Sequence, residues 1–314
     1  MKIAYRSYVP RADAEWLIDT ANDILESYLS RGFRLTLRAL HYLFVSRHGG
    51  EYENNPAQYN SLSRVITRAR EAGRIAWDAI IDNTRSLNRV QVWDRSADML
   101  QAAAEQFSTD RWARQPNRCE IWTEKDALLG VVGPTCDRYH VPFMAVRGFN
   151  SATAMHEGAQ RFLTYLEAGQ QVTVLYLGDH DPAGFAMSKD VEERLGLYTG
   201  YAEDLIIKRL ALNPDQVEAF NLPRDTRAKK NDKNFATYVR EHGTRFAWEL
   251  DALEPEVLAG LVNDAIEELI DERLWQEATD EDEAERERLR ELLSFSTLVG
   301  VGEARTTLFS RRSI

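Results

Sequence analysis

Between Cys119 and Leu210, strand-length apolar runs alternate with helix-length amphipathic ones, and that order leaves few folds open. Cys119 to Trp122, Val141 to Val146, Gln171 to Leu177 and Leu205 to Leu210 read as strands. Asp126 to Tyr139, Ser151 to Glu167 with Ser151 as its cap, and Pro182 to Leu195 read as the helices between them. The alternation predicts an α/β fold with a parallel, helix-flanked sheet, because parallel neighbours need a crossover and the crossover helix covers a sheet face. In such a sheet the C-terminal strand ends gather at one edge, where ligands bind. Two of the predicted strands run into acids there. Trp122-Thr123-Glu124-Lys125 ends the first, and Leu177-Gly178-Asp179-His180-Asp181-Pro182-Ala183-Gly184 follows the third.

Carboxylates crowded at one edge repel each other unless a cation lies between them. An all-oxygen set suits Mg²⁺ or Mn²⁺ and not zinc, and such an ion stabilises charge on a transferring phosphate. Glu124, Asp179 and Asp181 are therefore the candidate metal ligands. The competing reading is a Gly-Asp-x-Asp-Pro turn whose aspartates cap a helix. His180, between the two aspartates, is expected to point away from the metal.

The N-terminal part reads differently. Helical spacing runs from Ala12 to Ser30, from about Thr36 (a candidate cap) to Phe44, and from Tyr59 to Ala72, with His48-Gly49-Gly50 and Gly73 as stops. Short strand-like pieces follow near Ile75 to Ile81 and Asn88 to Trp93. Helices followed by a small β element fit a winged helix-turn-helix, a common way to present a helix to DNA. Arg64, Arg68, Arg70 and Arg74 are a candidate phosphate-facing stripe or a solvated face, and Lys229 and Lys230 a second candidate in a polar loop. The net charge of −11 does not exclude nucleic acid, because it is unevenly spread. Met1 to Arg118 holds 17 basic against 14 acidic residues, whereas Leu250 to Leu292 holds 16 acidic against 4 basic. No apolar run approaches the roughly 18 residues of a membrane span, and the N-terminus lacks an apolar signal core. Cys119 and Cys136 form neither a metal-ligand spacing nor a disulfide framework, so a cytoplasmic location is expected.

The Glu124 strand end taken with Asp179-His180-Asp181-Pro182-Ala183-Gly184 resembles the toprim domain of topoisomerases, primases and related nucleases. The Asp-x-Asp-Pro-x-Gly form, with Gly148 to Ser151 before it, looks most like the A subunit of topoisomerase VI and the meiotic double-strand-break transesterase. That family carries an Arg-x-x-x-Tyr element on a winged helix, and Arg38-Ala39-Leu40-His41-Tyr42 matches it upstream of the toprim part. Arg68 to Ile75, Asp82 to Arg85 and Trp248 to Leu253 are similar to segments of small standalone relatives from phages, plasmids and prophages. The likeness covers about Arg34 to Leu253.

The resemblance implies a winged-helix domain over 1–115, a toprim domain over 116–253 and an acidic helical extension over 254–314. It implies Mg²⁺-dependent cleavage of double-stranded DNA, with Tyr42 as nucleophile, Arg38 as its helper and Glu124 as metal ligand or acid/base. Arg38 and Tyr42 are four apart, so one helix face presents both, and an arginine favours phenolate and binds phosphate bidentately. It also implies a homodimer, since the tyrosine and metal sites of the family come from different subunits. The chain has no GxxxxGK[ST] phosphate loop, so strand passage would need an ATP-driven B-type partner subunit. Three alternatives stay open. Tyr42 is an aromatic packed beside Leu40, Leu43 and Phe44; the chain is a toprim nuclease that uses metal-activated water; or it is a non-catalytic DNA-binding subunit. His41 replaces the second aromatic often found before the tyrosine, and orients the phenol, acts as its base or is merely tolerated. Asp251 is a further acid or a helix cap.

Overall fold

Three helices open the chain: α1 (Ala12–Leu29), α2 (Leu37–Arg47) and α3 (Pro56–Glu71). The computed structural model describes residues 1–81, 92–146, 152–201, 203–222 and 226–309, the backbone alone at 226–227 and 295–309. The expected Asp82 to Arg85 and Gly148 to Ser151 segments, the Ser151 cap and Asn88 to Gln91 lie outside these residues. Thr36 caps α2, its hydroxyl accepting from the Ala39 amide at 3.1 Å, and Asn55 caps α3 ahead of Pro56. The apolar stripes of the helices meet in one core in which Ile18, Tyr28, Leu40, Phe44 and Leu62 are fully buried. Each such side chain contributes about 1.5–3 kcal/mol.

The strand expected near Ile75 to Ile81 is instead a 3₁₀ turn, Trp77–Ala79, with one parallel bridge between Leu35 and Ile80. The Arg70 guanidinium explains the curl. It donates to the Trp77 and Ile80 carbonyls at 2.7 and 3.3 Å and lies over the Trp77 ring, which draws both ends of the turn onto one side chain. Val92 and Trp93 are irregular.

Two compact units emerge: Met1–Ser86 with Asn117–Leu269, and Leu87–Pro116 with Ile270–Ile314. In the second, α4 (Ser96–Gln106) packs against the long helix that closes the chain, Glu272–Phe309. There Asp282 is fully buried and accepts from the Thr109 amide and hydroxyl, the Ser108 hydroxyl and the Arg111 guanidinium at 2.7–3.0 Å.

The first unit holds a four-stranded, all-parallel sheet: β1 (Asn117–Thr123), β2 (Phe143–Ala145), β3 (Gln171–Leu177) and β4 (Leu205–Ala211), in the order β2-β1-β3-β4. The crossovers are α5 (Leu129–Arg138), α6 (Ala152–Glu167) and α7 (Pro182–Thr199). A 3₁₀ turn, Asp126–Leu128, precedes α5 where the sequence suggested helix from Asp126. Alternation along the strands sorts the core: Trp122, Val172, Val174 and Tyr176 pack with Phe162, Val191 and Leu195 of α6 and α7. After β4 come α8 (Pro214–Ala219), β5 (Thr226–Arg227), α9 (Phe235–His242) and β6 (Phe246–Ala247), with β5 and β6 antiparallel. α10 (Pro255–Glu267) packs on α5 and β4 through an apolar stripe that includes Leu258, Val262 and Ile266. The acidic tail of the sequence is therefore divided, α10 belonging with the sheet and the last helix, α11, with the second unit. Among the described residues no helix is long and apolar enough to cross a membrane.

Candidate functional site

The order β2-β1-β3-β4 places the reversal of winding at β1 and β3, since the chain leaves β1 toward one edge and returns past it to the other. The crevice beyond the C-terminal ends of two such strands is where parallel sheets bind ligands. Glu124 follows β1 and Asp179 follows β3, and the strands are in register to their last residues, Thr123 beside Leu177. Glu124 and the Asp179 loop are thus brought together from 55 residues apart, the Asp179 amide donating to Glu124 Oε2 at 3.3 Å. Tyr176 donates its phenol to Glu124 Oε1 at 3.2 Å. The approach requires glycine: a Cβ on Gly178 would lie 2.1 Å from Glu124 Oε1, and one on Gly184 would lie 2.3 Å from the Asp179 carbonyl oxygen.

The carboxylates are unequal. Burial, then the charges of Asp179 and Asp181, push Glu124 up to about 7, against the pull of Arg209. Burial also raises Asp179, opposed by the Lys125 ammonium 2.9 Å away and by the Leu250 amide, which donates to Asp179 Oδ1 at 2.7 Å. Asp181 is the N-cap of α7 and accepts from the Gly184 amide at 2.6 Å, so the capping role weighed from sequence is real for this residue. His180 does point away: it is 1% exposed, Nδ1 is 2.6 Å from the Tyr238 hydroxyl, and Phe185, His242 and Trp248 surround the ring. Burial pushes it down to about 4.

Four charged residues outside the predicted set complete the edge. Lys125 Nζ lies 2.9, 2.9 and 2.7 Å from carboxylate oxygens of Asp179, Glu249 and Asp251. Burial works against its charge, and these three acids overcome it and hold it protonated. Asp251 is 1% exposed, and its second oxygen is buried without a hydrogen-bond partner. Arg209, on β4, ties down the acidic loop by donating to the Gly178, Asp179 and Gly184 carbonyls while its guanidinium lies 4.1 Å over Phe185. Single charged residues at 125, 209 and 249 carry no motif; only the adjacency of Lys125 to Glu124 and the Glu249-Leu250-Asp251 string hinted at them.

The tyrosine element lies against this edge in the same chain. α2 packs on the 3₁₀ turn Leu250–Ala252. Arg38 pairs closely with Glu249 and places Nε 3.8 Å from Asp251. Glu249 holds Arg38 through one oxygen and Lys125 through the other. One turn on, Tyr42 is 3% exposed, with the Arg38 guanidinium 5.9 Å from its ring centre. With Arg38, His41, Asn54, Asn55, Pro56 and Tyr59 it lines a cavity of about 210 Å³. Both His41 nitrogens are engaged, Nδ1 with the Tyr52 hydroxyl at 2.7 Å and Nε2 with Asn54 at 3.1 Å. His41 therefore braces the helix and has no nitrogen directed at the Tyr42 phenol.

The basic candidates separate. Arg64 and Arg68 are exposed on α3. Arg70 holds the Trp77 turn, and Arg74 pairs with both oxygens of Glu15. Lys229 lines a cavity of about 180 Å³ with Asp179, Asp181, Asp232, Trp248 and Glu249, and Lys230 is exposed beside it.

Among the described residues no group of three or more His, Cys, Asp or Glu side chains is gathered closely enough to hold a metal ion. The donor chemistry nevertheless suits a hard cation. Glu124, Asp179, Asp181, Glu249 and Asp251 face Arg38, Lys125 and Arg209, a surplus of two carboxylates, and mutual repulsion contributes to holding Glu124 near neutrality. No protein-family model matches the chain, and no curated protein matches it.

Proposed function

We propose that the chain is a Mg²⁺-dependent, DNA-cleaving transesterase of the topoisomerase VI A-subunit type, with α1–α3 as the winged-helix element and the parallel sheet as a toprim domain. One observation carries this reading: Glu249 bridges Lys125, beside the Glu124 and Asp179 edge, to Arg38, one helical turn from Tyr42. That link supports taking the two halves expected from the sequence motifs as parts of one site.

In this reading Tyr42 loses its phenol proton to solvent and attacks a DNA phosphodiester, a tyrosyl–phosphate bond forms, the phosphorus–oxygen bond to the sugar breaks, and the sugar oxygen leaves as a hydroxyl. Arg38 exchanges Glu249 for the phosphate and stabilises its charge. Glu124, held near neutrality by its surroundings, is suited to deliver the proton taken up by the leaving oxygen. Asp179 and Asp181 would hold Mg²⁺ or Mn²⁺, which would neutralise charge at the phosphate, and Glu124 would join them as a ligand only in its ionised form, in place of the acid role. Lys229 and Lys230, with Arg64 and Arg68, are the candidate contacts to neighbouring DNA phosphates. A cytoplasmic location, a separate ATPase partner and a homodimer complete the proposal, the dimer resting on the resemblance alone, since the tyrosine element and the acidic edge meet here within one chain.

The burial of Tyr42 and the neutralisation of Arg38 favour a second reading, a nuclease in which water takes the place of the phenol. Incubation with supercoiled and linear duplex DNA plus Mg²⁺ or Mn²⁺, followed by denaturation, separates the two. The transesterase leaves protein-linked ends that Tyr42→Phe abolishes together with cutting. The nuclease leaves unlinked nicks that survive this change. If Asp179→Ala altered neither Mg²⁺ binding nor DNA processing, a non-catalytic DNA-binding subunit would replace both.

A further inference from the structure

The contact between the N-terminal helices and the segment Glu249 to Glu256 is ionic and of one polarity. Every cation in it comes from α2 or from the turn after α1, and every carboxylate from the segment. Arg38 meets Glu249 and Asp251; Arg47 lies 3.9 Å from Glu254; Arg31 pairs closely with Glu256. Arg31 and Arg47 flank the Tyr28 ring at 4.4 and 5.6 Å, and the Tyr28 hydroxyl donates to Glu254 at 2.9 Å. The acids recur at 249, 251, 254 and 256, so a 3₁₀ turn, two extended residues and a helix start lay a row of negative charge along an arginine surface. The arginine side chains keep 36–45% of their area exposed, so the pairs are partly hydrated and exchangeable.

We propose that Glu249–Glu256 is an intramolecular mimic of a nucleic-acid backbone, covering an arginine surface (Arg31, Arg38, Arg47) that takes the phosphates of duplex DNA. The proposal rests on the reading of DNA as partner and adds what that reading lacks, the surface used and the segment that guards it. Guanidinium groups donate to carboxylate and phosphate oxygens in the same bidentate geometry, so a phosphate row displaces the acids without new side-chain architecture. Displacement at Arg38 frees the group that the site one turn away needs, which links DNA arrival to exposure of the reactive element. α3, which carries Arg64 and Arg68, is not required for this contact.

The test removes the mask at positions outside the reactive machinery. Glu254→Gln/Glu256→Gln in the full chain is compared with the unaltered chain for binding to a 20-base-pair DNA duplex and for retention on heparin, over a salt series. The double variant is expected to bind the duplex roughly tenfold more tightly at low salt. Its log K against log salt is expected to be steeper by about two, since each additional phosphate neutralised adds about 0.9 to the slope. Adding Arg31→Gln/Arg47→Gln should cancel both effects, which separates an uncovered surface from general loosening. If neither the duplex nor heparin binds more tightly, or if the tighter binding survives loss of the two arginines, the mask does not exist. If heparin retention rises and duplex affinity does not, the covered surface stands and duplex DNA is the wrong ligand, which removes the functional reading beneath it.

Discussion

Glu124 sets up a stability experiment whose sign is unusual for a carboxylate. Its ordinary value is near 4.5, and in the folded chain burial and its acidic neighbours push it up to about 7. The folded state therefore binds a proton more tightly than the unfolded one, and the linkage runs opposite to that of a salt-bridged acid. Below about pH 4.5 both states carry the proton and Glu124 adds no pH dependence. As pH rises through the interval to about 7 the fold must hold an increasingly ionised group, and stability falls. A shift of this size corresponds to about 3 kcal/mol at pH 8.5. Glu124→Gln keeps the shape and deletes the charge, so in EDTA at pH 8.5 the variant should be more stable than the unaltered chain by about 2–3 kcal/mol, and nearly equal to it at pH 4.5. Urea titrations followed by tryptophan fluorescence read this directly. Millimolar Mg²⁺ should raise the midpoint of the unaltered chain at pH 8.5 and leave Glu124→Gln nearly unmoved. Equal midpoints in EDTA at pH 8.5 would refute the account of a charge-crowded edge, whatever the DNA experiments give.

Three further outcomes follow from the same structure. Arg209→Met leaves the Asp179 and Gly184 carbonyls without their charged donor and should cost about 3 kcal/mol, lowering the melting temperature by roughly 6–12 °C, with Arg209→Lys in between; a calorimetric scan within 1 °C of the unaltered chain would contradict this. Asp282→Asn breaks a buried ion pair and its hydrogen bonds with 108–111, and should destabilise the second unit by about 3–5 kcal/mol, visible as early loss of amide protection along α4 and α11. These same donors hold the Asp282 carboxyl far below its usual range, so its contribution is whole above about pH 5 and is lost as pH falls below 4, a loss that Asp282→Asn should abolish in acid titrations. Tyr42→Phe removes only a hydroxyl and should leave the melting temperature within about 2 °C while abolishing any covalent DNA adduct, so a full adduct yield would return Tyr42 to the helix core.

The parts of this fold that could be read from sequence are those written as local pattern. β3 matches the Gln171 to Leu177 run end to end, because a strand buried on both faces is an unbroken apolar stretch and Gly178 must follow it. Thr36 caps α2 as expected, since the signal is a hydroxyl before an apolar turn. Where partners come from far along the chain, the pattern was silent. The Trp77 turn looked like a strand because Ile75 to Ile81 is a short, nearly unbroken apolar run, and what curls it is one guanidinium on the neighbouring α3, which no local pattern announces. The division of the acidic tail was equally hidden, because both helices are acidic and what separates α10 from α11 is the unit each packs in. At the site, Glu124, Asp179 and Asp181 were legible as acids at strand ends, whereas Lys125, Arg209 and Glu249 acquire meaning only through pairings across 25 to 211 residues. These unheralded residues change the chemistry most. A bare triad of carboxylates would call only for a cation. The same triad with Lys125 already among its acids, and with Arg38 held by Glu249, describes a site whose charges are partly neutralised from within, so that an incoming phosphate must compete with Glu249 before it can reach Arg38.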